Sequence, residues 1–241
     1  MNPNRLYSFA TAAIAAATLA VSAHADLLFG NEAQLETWLG QGDLDFTNIF
    51  TKVSGDTSAT LHAAIDGKGA TFSLLNAYTW NPQTQKYDIG HLIGGYDPWS
   101  WYSNEQFIGS LLDAERTAFI YNLTSDTIHR QNLAGEGNPN SQLYQTFNSV
   151  TYPLAFGLGY DLAVMEDLNS GGAFNYSYGG TSEGTNIVGK AGGTLFEVGE
   201  IEVYTFTPAT ATASVTDTAG TLGLLSISML GLVAFRRRFA S

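Results

Sequence analysis

One stretch limits the folds open to this chain more than any other: Tyr152-Pro-Leu-Ala-Phe-Gly-Leu-Gly-Tyr-Asp-Leu-Ala-Val-Met165. At a strand's period of two, Phe156, Leu158, Tyr160, Leu162 and Val164 share one face. Ala155, Gly157, Gly159 and Ala163 fall on the other, with Asp161 as its single charge. Such a segment predicts a central strand that fills a core on its large side and admits a second backbone on its small side. Burial of Asp161 would demand a hydrogen-bond partner, so it reads as a structural polar lock rather than a base.

Both ends of the chain read as addresses. Residues 1–25 have the form of a secretory signal: Arg5 supplies the positive start, and Ala10 to Val21 is almost wholly apolar. Ala23-His24-Ala25 supplies a small-x-small cleavage site for a signal peptidase, which would start the mature chain at Asp26. At the far end, Thr218 to Phe235 is an eighteen-residue run without a charge, followed by Arg236-Arg237-Arg238. As a helix it would reach roughly 27 Å, enough for a bilayer's apolar layer, with the arginines on the cytoplasmic side. Residues 208–217, rich in Thr, Ala and Ser, form the expected tether.

The order Val215-Thr-Asp-Thr-Ala-Gly-Thr221, apolar run, basic cluster resembles the C-terminal sorting signals of bacterial exosortase substrates. It departs from the Val-Pro-Asp-(Ser/Thr)-Gly type at Thr216 and Ala219, and Asp217 marks the matching acidic position. The resemblance implies processing by an exosortase and retention at the envelope or outer surface of a Gram-negative-type bacterium. The alternative is a plain C-terminal membrane anchor.

Residues 26–207 remain as one domain. It has no cysteine, so packing and hydrogen bonds must stabilise it without disulfides. Between Asp26 and Asp217, six Lys or Arg stand against twenty-two Asp or Glu, a net charge of −16. A surface that negative excludes nucleic acid and anionic lipid heads as partners.

Asn31-Glu-Ala-Gln34 has the form of a capping box, Leu35, Trp38 and Leu39 recur at helical spacing, and Gly40 stops the turn. A second short helix is expected over 56–64, with Leu61 and Ile65 turned inward. Strands are expected at 71–75, 89–96, 117–123 and 195–206, the last bent at Gly199 where the parity of its large residues changes. Asn81-Pro82 marks a turn, and the glycine-rich segments 171–184 and 189–193 read as loops. The fold class expected is mainly β (α+β), antiparallel, with short helices packed outside.

Several of these elements together resemble TLDc domains. Leu61-His62, Asp66-Gly-Lys-Gly69 and Thr71-Phe72 are similar to that family's helix-turn-strand entry. Ile93-Gly94-Gly95-Tyr96 with Trp99, and Ala118-Phe119-Ile-Tyr-Asn-Leu123, are similar to two further motifs. Phe156-Gly157-Leu-Gly159-Tyr-Asp161-Leu162, Phe174 to Tyr178, and Glu200-Ile-Glu202-Val-Tyr204 complete the series. Ala70 and Ile65 depart from it, where Pro and Cys are common. The resemblance implies a two-sheet β-sandwich flanked by helices, in a family with no settled enzymatic activity.

The chemistry-bearing residues are few. His62, His91 and His129 show no metal-ligand spacing and read as helix-surface, strand and loop residues. Asp167-Leu-Asn-Ser-Gly171 lacks the spaced acids of a calcium loop. Gly67-Lys-Gly69 lacks the phosphate-loop order, and neither a cofactor nor a metal is expected. Glu200 and Glu202 share a strand face with Cα atoms roughly 6.5–7 Å apart, a separation usable for acid/base hydrolysis of a glycan. The competing reading is an ordinary solvated face. Tyr96, Trp99, Trp101 and Tyr102 form an aromatic cluster fit to stack on sugar rings where exposed, with half of it expected in the core. The preferred reading is a non-catalytic, envelope-anchored, TLDc-like binding or scaffold protein, associated with extracellular polysaccharide. The alternative is an extracellular glycan hydrolase using Glu200 and Glu202.

Overall fold

The computed structural model describes residues 26–137, 139–179 and 184–210. The expected signal with Ala23 and Ala25, the tether from residue 211 with Asp217, and the apolar run lie outside them. Helix α1 (Glu32–Leu39) leads to β1 (Leu44–Thr51), α2 (Ser58–Ile65), β2 (Thr71–Asn81) and β3 (Lys86–Asp97). Then follow β4 (Gln106–Gly109), β5 (Phe119–Asn122), β6 (Thr127–Arg130), β7 (Tyr144–Asn148) and β8 (Leu154–Phe156). Strands β9 (Leu162–Val164), β10 (Ser170–Ala173) and β11 (Thr194–Pro208) complete the described chain. Among the described residues no helix is long and apolar enough to cross a membrane.

The strands pair in the order β4-β7-β8-β9-β10-β11-β2-β3-β5-β6, with β1 also on β11, and every ladder is antiparallel. Laid flat, β8 would sit five strands from β3, roughly 24 Å away. Instead a Cβ on Gly95 of β3 would overlap the Phe156 ring of β8. The sheet therefore folds back on itself, and its two halves enclose one apolar core. Leu75, Ile93, Ile120 and Ile201 meet Leu154, Phe156, Leu162 and Val164 there, with Leu61 and Ile65 of α2 and the buried Trp101. The expected mainly β sandwich is what the chain forms.

A second core lies on the opposite face of β2, β3, β5 and β11. Leu35 and Trp38 of α1, with Leu27 and Leu28, cover Phe72, Leu74, Tyr96, Phe119, Tyr121 and Tyr204. Gly40, at φ 73°, ends α1 by donating its N–H to the Glu36 carbonyl. Asn31 does not cap α1 through its side chain; its Nδ2 donates to the Leu27 carbonyl at 3.0 Å. The capping box forms instead at α2, where the Thr57 N–H donates to Thr60 Oγ1 at 3.0 Å.

The stretch 152–165 is not one straight strand. It is the β8–β9 hairpin, with Gly157 at φ 79° and Tyr160 at φ 58° reversing the chain. Phe156, Leu162 and Val164 face the first core as expected, joined by Leu154, but Leu158 is exposed and Tyr160 half-buried. The first part of the glycine-rich segment at 171–184 is also strand rather than loop, because it belongs to β10 and pairs Gly171 with Phe196 and Val164. The bend in β11 lies where expected: its register on β2 slips between Val198 and Ile201. The extra residue lets Phe196 and Val198, then Ile201 and Val203, all reach the same core.

Candidate functional site

The glycine side of the β8–β9 hairpin does take a second segment against it, residues 174–178. Asp161 is fully buried, and its Oδ1 accepts N–H hydrogen bonds from Tyr176 at 2.6 Å, Ser177 at 2.9 Å and Tyr178 at 3.1 Å. Its Oδ2 accepts the Ser177 N–H again at 3.0 Å. A Cβ on Gly157 would overlap Asp161 Oδ2, so only a bare backbone passes there. Burial pushes Asp161 up to about 6, against the downward pull of those backbone donors. With its lone pairs committed, Asp161 holds two chain segments together.

Glu200 and Glu202 do not present a free pair. Glu202 is only 3% exposed, and its Oε2 accepts the Leu27 N–H at 2.8 Å and the Tyr204 O–H at 2.7 Å. The Tyr204 hydroxyl also lies 3.0 Å from Asp26 Oδ1. Burial first, then the Glu202 hydrogen bond, raise the Tyr204 pKa, so the phenol stays protonated and donating. Glu200 is half-buried and accepts from Asn76 Nδ2 at 3.2 Å. Glu202 thus ties the first described residues to β11. Glu202→Ala is expected to destabilise the protein by about 1–3 kcal/mol, by orphaning the Leu27 N–H and leaving the Tyr204 hydroxyl with Asp26 as its remaining acceptor. Thermal melting and faster hydrogen exchange at Leu27 and Leu28 check this, with Glu200→Gln expected within ~0.5 kcal/mol of the parent.

The histidines also serve the fold. His62, expected on a helix surface, is 3% exposed, with Nδ1 at 2.7 Å from Asp66 Oδ1 and Nε2 at 3.1 Å from the Ser149 carbonyl. It clips α2 to the connection after β7, and both of its ring nitrogens face acceptors. His129, expected in a loop, is buried within β6. His91 lies in β3 as expected, 3.2 Å from Thr79 Oγ1 through Nε2, its pKa lowered by burial and then by Lys190. Among the described residues no group of three His, Asp or Glu is placed to hold a metal.

The aromatic cluster at 96–102 divides in two. Tyr96 and Trp101 are core residues, Trp101 packing edge-on against Phe156 at 5.5 Å and donating Nε1–H to Thr71 Oγ1 at 3.0 Å. Trp99 and Tyr102 are exposed, at 49% and 46%. The four rings therefore form no common platform. Gly94, like Gly95, serves packing: a Cβ there would overlap the Ser73 carbonyl.

A different set of rings, from segments the sequence does not link, forms a continuous strip. Phe107 of β4 lies opposite Phe147 of β7 in register, and their rings stack at 4.3 Å. Tyr144 extends the row at 5.0 Å from Phe107. Tyr160 lies 6.4 Å from Phe147, and Tyr152 lies 4.5 Å from Tyr160. All five are half-buried. No signal in the sequence gathers them, since β4 and β7 are short strands without clear alternation. No family model and no curated protein matches the chain.

Proposed function

We propose that residues 26–207 are a non-catalytic binding module of TLDc-like kinship, exported and held at the cell envelope by the C-terminal segment, where it engages extracellular polysaccharide. The observation that carries this reading is Glu202. Of the two carboxylates the sequence offers for hydrolysis, Glu200 and Glu202, the second is buried and committed to the Leu27 N–H and the Tyr204 hydroxyl. An acid/base residue needs reach to its substrate, and this one is spent on the fold. Asp161 is committed in the same way. The motif positions Gly95, Phe156, Gly157, Asp161 and Glu202 thus have folding roles, which supports a kinship of architecture rather than of chemistry.

The export and anchoring parts rest on the two terminal sequences, with signal peptidase and exosortase as the processing partners. The purified protein is expected to turn over no member of a broad panel of glycans and esters, and to be captured by envelope polysaccharide. Turnover that Glu200→Gln abolishes would overturn the reading.

A further inference from the structure

The strip from Tyr144 to Tyr152 has features that folding alone does not require. Aromatic side chains on a sheet's outer face ordinarily scatter singly, whereas here each ring touches the next from the edge strand β4 across β7 to the β8–β9 hairpin. Tyr160 occupies its place at a backbone cost. It is a bulky residue at φ 58°, a left-handed conformation that glycine or asparagine adopts more readily. Strain of this kind, about 1 kcal/mol, persists where something besides local stability holds the residue.

Each end of the strip opens into a hollow. Beside Tyr152 is a cavity of about 450 Å³ lined by Thr57, Thr151, Met165, Glu166 and Asp167. Beside Tyr144 is one of about 220 Å³ that includes Phe107, Ser110 and Leu111, the last 82% exposed. The surface is therefore a run of apolar faces ending in hydroxyls and carboxylates. Asp167 Oδ1 is occupied by Asn169, Ser170 and its hydroxyl, and Lys52 stands near enough to offset part of the Asp167 charge. Glu166 is exposed and lines the larger hollow.

We propose that this strip is a binding site for an extended, uncharged polysaccharide, whose sugar rings stack along Tyr144, Phe107, Phe147, Tyr160 and Tyr152. The inference rests on the binding-module reading and gives it a surface. A pyranose ring has a flat C–H face for an aromatic side chain and hydroxyls at its rim for acceptors such as Glu166. Polyanions are disfavoured by a net charge of −16 over residues 26–217, which excludes nucleic acid, anionic lipid and acidic polysaccharide from the same rings. An isolated apolar sheet face would suit a protein partner equally, but the row is one ring wide and polar at its far end.

The test is affinity electrophoresis and titration calorimetry of the purified protein with cello-, xylo- and chito-oligosaccharides and with alginate, alongside poly-lysine. Binding of at least one neutral oligosaccharide and none of alginate is expected. Tyr152→Ala combined with Tyr160→Asn is expected to weaken it at least about tenfold, since asparagine tolerates the left-handed backbone while removing the ring. Phe107→Gln on the edge strand serves as an independent variant should the pair fold poorly, and Trp99→Ala is expected to leave binding unchanged. Neutral-glycan binding that survives the strip substitutions would overturn the strip while leaving the module reading in place. The strip proposal also falls if no neutral oligosaccharide binds, if poly-lysine binding is what the substitutions abolish, or if they dissociate a dimer. Turnover of the oligosaccharide would overturn the module reading instead.

Discussion

Asp161→Ala is expected to destabilise the protein by about 4 kcal/mol, enough to unfold a large fraction of a marginally stable domain. The substitution leaves the N–H groups of Tyr176, Ser177 and Tyr178 facing an empty space, the last two of them buried. Each orphaned donor costs about 1–3 kcal/mol, and water entering the hole offsets part of the sum. The same carboxylate packs against Gly157 at the β8–β9 turn, so its loss also removes a contact there. Asp161→Asn is expected to recover less than half of the loss, because its amide turns an N–H₂ toward backbone donors. Urea melts followed by circular dichroism check both variants. A change within 1 kcal/mol for the alanine variant would mean that residues 174–178 are held by other contacts.

The second large effect is a fall in stability as pH rises, set by Asp97. This residue ends β3, is fully buried, and accepts the Trp99 N–H on Oδ1 at 3.0 Å, while Oδ2 has no hydrogen-bond partner among the described residues. Burial pushes it up to about 7 from 3.8, with the Trp99 hydrogen bond pulling weakly the other way. Because the folded value lies above the unfolded one, the folded chain holds this proton more tightly. The stabilisation is complete below pH 3.8 and is lost as pH rises through about 7. A shift of that size corresponds to about 4 kcal/mol across the window. Asp161, raised to about 6, acts in the same direction over a narrower range. The melting temperature of the parent is expected to drop between pH 5 and pH 8, and Asp97→Asn to remove most of that drop. A parent whose Tm is flat over this interval would refute the assignment.

How much of this was legible in the sequence depended on whether a signal was local. The bend in β11 was visible because a bulge shifts the parity of large residues, and Val198-Gly199-Glu200-Ile201 shows that shift directly. Helix α1 was visible from Leu35, Trp38 and Gly40, and Asn31 does stand at its N-cap, though without the expected capping box because its amide goes to the Leu27 carbonyl. The β8–β9 hairpin was mistaken for one strand for a geometric reason. Phe156 pairs with Leu162, an even separation, so the turn between them preserves the period of two on both sides. Strands β1, β4, β6 and β7 left no clear pattern, three of them being only four or five residues long. Of the candidate site, Glu202 and Asp161 could be singled out by type and position, but only their partners decide what they do. The ring strip draws on four separate segments and has no sequence signature at all.

Strand β11 pairs with β1, β2 and β10, and so joins the two halves of the sheet. Its Glu202 also reaches back 175 residues to fasten Leu27. Since β11 is the last strand described, a growing chain lacks the piece that unites its halves until nearly all of the domain has been synthesised. Contacts of such long range make folding slow and delay it until late. A polypeptide that stays open this long keeps both of its cores incomplete until its final described segment arrives.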